Sequence, residues 1–264
     1  MPSLNIGFLL RVLPFFCAVG FLPVAHAQLH PEVKELVTRP GVTLRFLYVK
    51  AANPVASAVL FQGGRGNIGI FPNGSMRDEG FLASAGQTFA QLGISVVIPD
   101  VPSDRRDLDD FRASAEHAQD NAALIDFLRK QSPVPVWAIG TSNGSLSAAA
   151  ASTQLGRAGP DGLVLTSTVT REGRTRRMAH RVSDAPLHAV KVPVLLVHHK
   201  DDGCYVTPYQ AMPSLVAALS SSPKVALITS QGGSNHGNPC HTGHHQFQGI
   251  EATVIKDIAE WVAR

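Results

Sequence analysis

The 264-residue sequence has few cysteines, little net charge and no repeated or low-complexity segment. Its basic residues outnumber its acidic residues by only three, 23 against 20, so its charge indicates neither a nucleic-acid partner nor an anionic membrane. No linker rich in proline, glycine or serine divides the chain, and its length suits one α/β domain with a full core. We therefore predict a single domain over residues 28–264, which excludes an export signal predicted for the first 27 residues.

The first 27 residues are predicted to be an export signal. They contain a short, mostly apolar stretch at 9–24, and Ala25-His26-Ala27 fits the small-x-small rule for cleavage before Gln28. The stretch is short and contains two prolines, which argues against a stable membrane span. An uncleaved anchor is the alternative. We expect a bacterial protein that is periplasmic or secreted.

Removal of that signal would leave only two cysteines, Cys204 and Cys240. An exported protein with two cysteines usually joins them, so we predict a disulfide between these two; two free thiols are the alternative. The histidines near the C-terminus lack the regular spacing and the paired carboxylates or thiolates of a zinc site. We therefore predict no metal site.

Short apolar runs alternate with segments whose apolar residues have helical spacing. This alternation predicts an α/β fold, in which a mostly parallel central sheet has helices on both faces. Predicted strands are 43–49, 56–61, 94–98, 134–139, 162–166, 192–198 and 224–229; predicted helices are 81–92, 108–130, 212–219 and 249–262, with another after residue 144.

The segment Gly140-Thr141-Ser142-Asn143-Gly144 has the pattern G-x-S-x-G between a predicted strand and a predicted helix. In this setting the serine hydroxyl is exposed at a sharp turn, and the glycines avoid collisions with the neighbouring strand and helix. The positive end of the helix is directed at the serine oxygen, and the Asn143 N–H is placed to bind an oxyanion. We predict that Ser142 is a nucleophile; a structural turn is the alternative.

A serine nucleophile needs a histidine base and an acid that orients the histidine. Asp201 and Asp202 follow the predicted strand 192–198, where an acid would leave the edge of the sheet. The last loop offers His236 and His245 as candidate bases, and also the less favoured His244. The remaining His241 is expected to cap or solvate the loop.

Together these motifs resemble the α/β-hydrolase superfamily, over most of residues 40–264. The acid turn of this superfamily commonly has the pattern His-Gly-x-x-Asp-x-x-Val-Pro. When His198 is matched to its histidine, the resemblance assigns the acid to Asp202 and leaves Asp201 as a turn or cap residue. It implies the α/β-hydrolase fold with little or no lid.

The resemblance also favours His245 as the base, because the base of the superfamily usually leads closely into the final helix. The tail from His245 to Val262 is similar to that of secreted bacterial members. The predicted bridge supports this choice, since Cys204 is two residues beyond Asp202 and Cys240 is five residues before His245. His236 remains the alternative base.

The loop Gln62-Gly63-Gly64-Arg65-Gly66 resembles the His-Gly-Gly-Gly type of oxyanion loop, with Gln62 in place of the histidine. Glycine lets backbone N–H groups approach a substrate oxygen closely. The resemblance implies that the N–H of Gly64 or Arg65 is the second oxyanion donor. A flexible glycine-rich turn is the alternative.

These residues predict an exported serine hydrolase that acts on small or polar carboxylic esters through an acyl-enzyme and needs no cofactor. The connection between residues 166 and 191 is short and polar, whereas a lipase lid would have an apolar face. A peptidase or amidase with the same triad, and a non-catalytic binding protein, are the alternatives. The sequence gives no indication of the oligomeric state.

Overall fold

The computed structural model describes residues 30–173 and 180–264, so the predicted export signal lies outside the described residues. The described residues form eight strands and six α-helices. The strands are β1 (Glu32–Arg39), β2 (Val42–Val49), β3 (Ala56–Phe61), β4 (Ile94–Pro102), β5 (Val136–Thr141), β6 (Gly162–Thr166), β7 (Val194–His199) and β8 (Val225–Ser230). The helices are α1 (Phe81–Ser84), α2 (Gly86–Gln91), α3 (Ala115–Gln131), α4 (Gly144–Gln154), α5 (Met212–Ala218) and α6 (Glu251–Val262).

The strands form one sheet in the order β1-β2-β4-β3-β5-β6-β7-β8. The pairs β1–β2 and β2–β4 are antiparallel, and all the other pairs are parallel. The predicted mostly parallel sheet is therefore confirmed. Because the carboxyl ends of the parallel strands share one edge of the sheet, the turns that follow β3, β5, β6 and β7 lie close together.

Helices cover both faces of the sheet, as predicted. On one face α1, α2 and α6 pack on a cluster that includes Phe81, Phe89 and Trp261. On the other face α3, α4 and α5 pack on a cluster that includes Leu124, Ala148 and Met212. Since both faces of the central strands are covered, β3, β5, β6 and β7 are buried along their whole length, which explains their continuous apolar runs.

Two predicted helices differ from the structure. The helix predicted over 108–130 begins only at Ala115, because Asp110 has a left-handed backbone (φ 57°) and the Ser114 hydroxyl accepts the His117 N–H as an N-cap. The helix predicted over 81–92 is divided at Ala85, whose N–H bonds to Leu82 three residues earlier. The remaining predicted helices and strands agree with the structure to within a few residues.

The connection between β6 and β7 contains only two 3-10 turns, Val182–Asp184 and Leu187–Ala189, in the parts that the structure describes. This short connection agrees with the predicted lack of a large lid. No helix among residues 30–173 and 180–264 is both long enough and apolar enough to cross a membrane.

Candidate active site

Ser142 lies on the sharp turn between β5 and α4 and has a left-handed backbone, with φ at 50°. The glycines on either side of it are required by close packing. A Cβ at Gly140 would lie 2.3 Å from the Gly144 carbonyl oxygen, and a Cβ at Gly144 would lie 1.9 Å from the Phe61 carbonyl oxygen. A strained serine held between packed glycines is the arrangement that presents a hydroxyl above the sheet edge.

The helix α4 begins directly after Ser142 and lies close to the sheet because its buried residues are small. Ala148, Ala149 and Ala151 are fully buried. Its first turn is fixed by Ser145, whose N–H and Oγ both donate to the Ser142 carbonyl oxygen, at 2.9 and 2.6 Å. The positive end of the helix is therefore held at the serine.

Asp202 and His245 form a buried hydrogen-bonded pair. The distance from His245 Nδ1 to Asp202 Oδ2 is 3.0 Å, and both side chains are fully buried. Because the carboxylate accepts the Nδ1 proton, Nε2 is the unprotonated nitrogen of the neutral ring. Nε2 is buried and has no hydrogen-bond partner among the described residues, so it is available as a proton acceptor.

Two further groups donate to the Asp202 carboxylate, the Thr207 hydroxyl to Oδ2 at 2.8 Å and the Cys204 N–H to Oδ1 at 2.9 Å. His198 Nε2 bonds to the Thr207 carbonyl oxygen at 2.9 Å and also lies 3.4 Å from Oδ2. Burial acts to raise the pKa of the Asp202 carboxyl. Hydrogen bonds from His198, His245 and Cys204 and the Coulombic attraction of His245 outweigh that effect, so the pKa is well below its ordinary value. The carboxylate therefore stays ionised at neutral pH.

Hydrogen bonds from neighbouring residues connect the serine turn to the histidine loop. The Ser142 N–H donates to the Thr166 carbonyl oxygen at 3.1 Å, and the next residue, Ser167, donates from Oγ to the His245 carbonyl oxygen at 2.8 Å. Ser167 also has a left-handed backbone, with φ at 40°. No hydrogen bond joins Ser142 Oγ to His245 Nε2 within the described part of the chain. Catalytic hydrogen bonds are often long in ligand-free structures.

The disulfide between Cys204 and Cys240 is present, which confirms the predicted pairing. It joins the segment that carries Asp202 to the loop that carries His245. Cys204 is buried against Val169 and Val206.

The other candidate acid and base groups lie apart from this pair. His236 is exposed, and none of the hydrogen bonds or ion pairs between described residues joins its ring to Asp202. His244 stacks on His199 at 3.9 Å, and its Nδ1 lies 3.1 Å from the Asp201 carbonyl oxygen. The structure thus brings together Asp202 and His245, and not the alternatives.

His199, Asp201 and His244 bring three possible metal-ligand atoms within 4.8 Å of one another. Both ring nitrogens of His199 are already used, however: Nε2 bonds to the Gly232 carbonyl oxygen at 2.9 Å, and Nδ1 accepts the Asp201 N–H at 3.1 Å. A metal would have to displace one of these bonds. The cluster therefore gives no argument for a metal site.

The glycine-rich loop after β3 lies against the serine. A Cβ on Gly63 would be 2.8 Å from the Ser142 Cβ, so only glycine allows this approach. The Gly64 carbonyl oxygen accepts a hydrogen bond from Asn143 Nδ2 at 3.1 Å. The N–H groups of Gly64, Arg65 and Asn143 donate no hydrogen bond to any described residue. They are the predicted oxyanion donors.

Two glutamines anchor this loop and the histidine loop to the same short helix. Gln62 Oε1 accepts the N–H groups of Leu82 and Ala83, each at 3.1 Å. Gln246 Oε1 accepts the N–H of Phe81 at 2.9 Å. Gln62 is the first residue of the glycine-rich loop and Gln246 follows His245, so α1 contacts both loops.

No protein-family model and no curated relative matches the sequence. The structure resembles an esterase of Pyrococcus furiosus, with a TM-score of 0.64 and 12% identity over 89% of this chain and 92% of that one. It also resembles a dienelactone hydrolase of Anabaena variabilis, with a TM-score of 0.58 and 16% identity over 88% and 97% of the two chains.

A third similar structure is a serine hydrolase without a lid from Xanthomonas campestris, with a TM-score of 0.54 and 18% identity over 88% of this chain and 92% of that one. Sequence identity in all three comparisons is low, so the likeness concerns the fold. The chain has the α/β-hydrolase fold, and Ser142, Asp202 and His245 lie on the turn and loops at the carboxyl edge of its sheet.

Proposed function

We propose that this α/β-hydrolase-fold protein is a serine hydrolase with Ser142 as nucleophile, His245 as base and Asp202 as the acid that orients the base. The main support for this proposal is the buried Asp202–His245 pair. His245 Nε2 has no hydrogen-bond partner among the described residues. Ser167 donates to the His245 carbonyl oxygen, and its neighbour Thr166 accepts the Ser142 N–H, so the histidine loop is connected to the serine turn. A hydrolytic site needs a nucleophile, a base and an orienting acid at one edge of the fold.

In the proposed reaction, Ser142 Oγ attacks the acyl carbon and its proton passes to His245 Nε2. The carbonyl oxygen becomes an oxyanion, which would be held by the N–H groups of Asn143 and of Gly64 or Arg65. When the tetrahedral intermediate collapses, the leaving alkoxide takes the proton from His245 and departs as an alcohol. Water then attacks the acyl-enzyme while His245 takes one of its protons. As the acyl–oxygen bond breaks, His245 returns that proton to Ser142 Oγ, and the carboxylic acid is released.

We propose small or polar carboxylic esters as substrates. The described part of the β6–β7 connection is polar: Arg181 pairs with Asp184 at 2.8 Å, and His180 lies 3.9 Å from Asp110. These charged and polar side chains favour a small or polar ester over a long alkyl chain.

We also propose that the protein is exported with cleavage before Gln28. The Cys204–Cys240 disulfide supports this proposal, because such bonds persist in oxidising compartments. Amino-terminal sequencing of the protein recovered from the periplasm or medium tests it: a start at Met1 would contradict the proposal.

The first experiment is hydrolysis of p-nitrophenyl acetate, butyrate and palmitate by residues 28–264 and by three variants. We expect Ser142→Ala and His245→Ala to lose turnover and His236→Ala, the matched histidine control, to keep it. Loss in His236→Ala alone would reassign the base. Full activity in Ser142→Ala would refute the mechanism.

Two further readouts separate the remaining alternatives. Labelling by a fluorophosphonate that disappears in Ser142→Ala supports a hydrolase, whereas absence of labelling favours a binding protein. If Ser142 is labelled but none of the three esters is cleaved, peptide and amide substrates are tested next. Faster cleavage of palmitate than of acetate would contradict the proposed substrate class.

A further inference from the structure

Arg112 is a buried cation directly beneath the glycine-rich loop. It is only 5% exposed. Its Nη2 lies 3.2 Å from the carbonyl oxygens of Gln62 and Gly64 and 3.5 Å from that of Gly63, which also accepts the Gly66 N–H at 3.2 Å. No motif in the sequence marks this residue.

The guanidinium also reaches the helix that carries the serine turn. Its Nη1 donates to Ser147 Oγ on α4 at 2.8 Å, and Ser147 Oγ lies 2.9 Å from His117 Nε2. Burial and the charge of Arg112 lower the pKa of His117 to about 3, so the ring is neutral and shares a hydrogen bond with the Ser147 hydroxyl. One side chain therefore links the glycine-rich loop to α4.

The contacts of Arg112 with the loop carbonyls also determine where the N–H groups of Gly64 and Arg65 point. In a trans peptide unit the C=O and the following N–H point in opposite directions. When Arg112 holds the carbonyl groups of Gly63 and Gly64 on its side, the N–H groups of Gly64 and Arg65 point to the other side. Those are the predicted oxyanion donors, and they donate no hydrogen bond within the described chain.

The loop packs tightly against this cation. A Cβ on Gly66 would lie 2.6 Å from Leu108 Cδ1 and 2.9 Å from Arg112 Nη2, so a larger residue would disturb both side chains. Burial lowers the pKa of Arg112 to about 10, which leaves it charged at neutral pH. A buried charge is costly, and an apolar side chain would fill this space without that cost. Hydrogen bonding to the carbonyl oxygens of the glycine-rich loop therefore explains an arginine at position 112 better than packing alone does.

We propose that Arg112 is the positioning residue of the oxyanion hole: by holding the carbonyl groups of Gln62, Gly63 and Gly64, it directs the loop amides towards the substrate oxygen. This inference rests on the proposed serine hydrolase function. Asn143 Nδ2 holds the Gly64 carbonyl from the exposed side, and Arg112 holds it from the buried side.

The test compares Arg112→Met with wild type and with Arg129→Met. Arg129 is a matched control, because it also donates to backbone carbonyls, those of Ala158 (3.5 Å) and Gly159 (2.8 Å), but at the far end of α3. We expect Arg112→Met to lower kcat for p-nitrophenyl butyrate by about 10²-fold, the usual loss for one oxyanion donor, with KM nearly unchanged. Arg129→Met should leave kcat unchanged.

A second readout is the affinity for a trifluoromethyl ketone, whose adduct with Ser142 carries an oxyanion. We expect it to fall in Arg112→Met by a factor similar to the fall in kcat, and to recover in part in Arg112→Lys. A folded Arg112→Met with wild-type kcat would overturn the inference. So would a rise in KM with kcat unchanged.

Folding of the variants is checked by circular dichroism. If Arg112→Met does not fold, Ser147→Ala decides the question, since it removes the anchor of Nη1 and keeps the cation: unchanged kcat and ketone affinity in that variant would overturn the inference. The two proposals fail in different ways. A wild type that neither hydrolyses esters nor reacts with a fluorophosphonate refutes the hydrolase itself, and the role of Arg112 falls with it. An active wild type with an unaffected Arg112→Met refutes only the role of Arg112.

Discussion

Removal of the Cys204–Cys240 bridge should destabilise the protein and slow its turnover. The bonded cysteines are 36 residues apart. On the chain-entropy relation, a cross-link over a loop of this length contributes about 4 kcal/mol to the free energy of unfolding. For a domain of this size, about 1 kcal/mol corresponds to about 2–4 °C in Tm, so we expect the loss of the bridge to lower Tm by about 8–16 °C.

The assay is thermal unfolding of wild type and of the double variant Cys204→Ala/Cys240→Ala, followed by circular dichroism. The double variant avoids leaving a free thiol. Wild type with its bridge reduced is the matched control, because it keeps the packing of Cys204 against Val169 and Val206 and lacks only the cross-link. A Tm that changes by less than about 2 °C in both samples would refute the entropic argument.

The effect on rate has a separate cause. Alanine at position 204 keeps the backbone N–H that donates to Asp202 Oδ1, so the acid retains this donor. Any fall in kcat therefore reports freer movement of the acid loop against the His245 loop. A fully stable variant with lowered kcat would assign the bridge to loop positioning alone. Unchanged kcat together with lowered Tm would refute positioning and retain the stabilising role.

Three further predictions concern the fold around the site. The pKa of His117 is lowered from 6.5 to about 3, so the stability that its neutral ring contributes is complete above pH 6.5 and is lost as the pH falls towards 3. Urea unfolding at pH 6.5 and pH 5 measures this effect. Between these two values the free energy of unfolding should fall by about 2 kcal/mol more in wild type than in His117→Gln. Gly144→Ala should abolish most ester hydrolysis and lower stability by about 1–3 kcal/mol, because its Cβ would overlap the Phe61 carbonyl, whereas Ser152→Ala on the same helix should have little effect. Trp261→Ala should lower the free energy of unfolding by about 3–5 kcal/mol, measured by urea unfolding. It should also change the fluorescence of Trp137, whose ring centroid lies 5.3 Å from that of Trp261. An unchanged urea midpoint would contradict the packing argument.

Much of the fold could be predicted from the sequence because its central strands are buried on both faces. Continuous apolar runs mark β3, β5, β6 and β7, and the residues that follow them occupy one edge of a parallel sheet. The first strand, β1, is not predicted because it is an edge strand in which no residue is fully buried. The turn at Pro40-Gly41, which joins β1 and β2 into a hairpin, was the available signal.

The site was predictable to the extent that its requirements are local. The serine turn depends on five consecutive residues, and its glycines are needed for contacts that any such turn makes. Ser167 and Arg112 could not be found because each donates to backbone carbonyls far away in sequence. Thr207 lies only five residues from Asp202, but a single threonine hydroxyl carries no pattern that identifies its partner. Arg112 is about 50 residues from the carbonyls it holds, and a lone arginine before a helix carries no pattern that identifies such partners.

The side chains of Gln62 and Gln246 attach two different loops of the site to the same helix, α1. Gln62 and Gln246 both end on the first N–H groups of a helix only four residues long. Helix α1 is therefore a contact point that the oxyanion loop and the His245 loop share, so a substitution that displaced it would disturb the two sides of the site together.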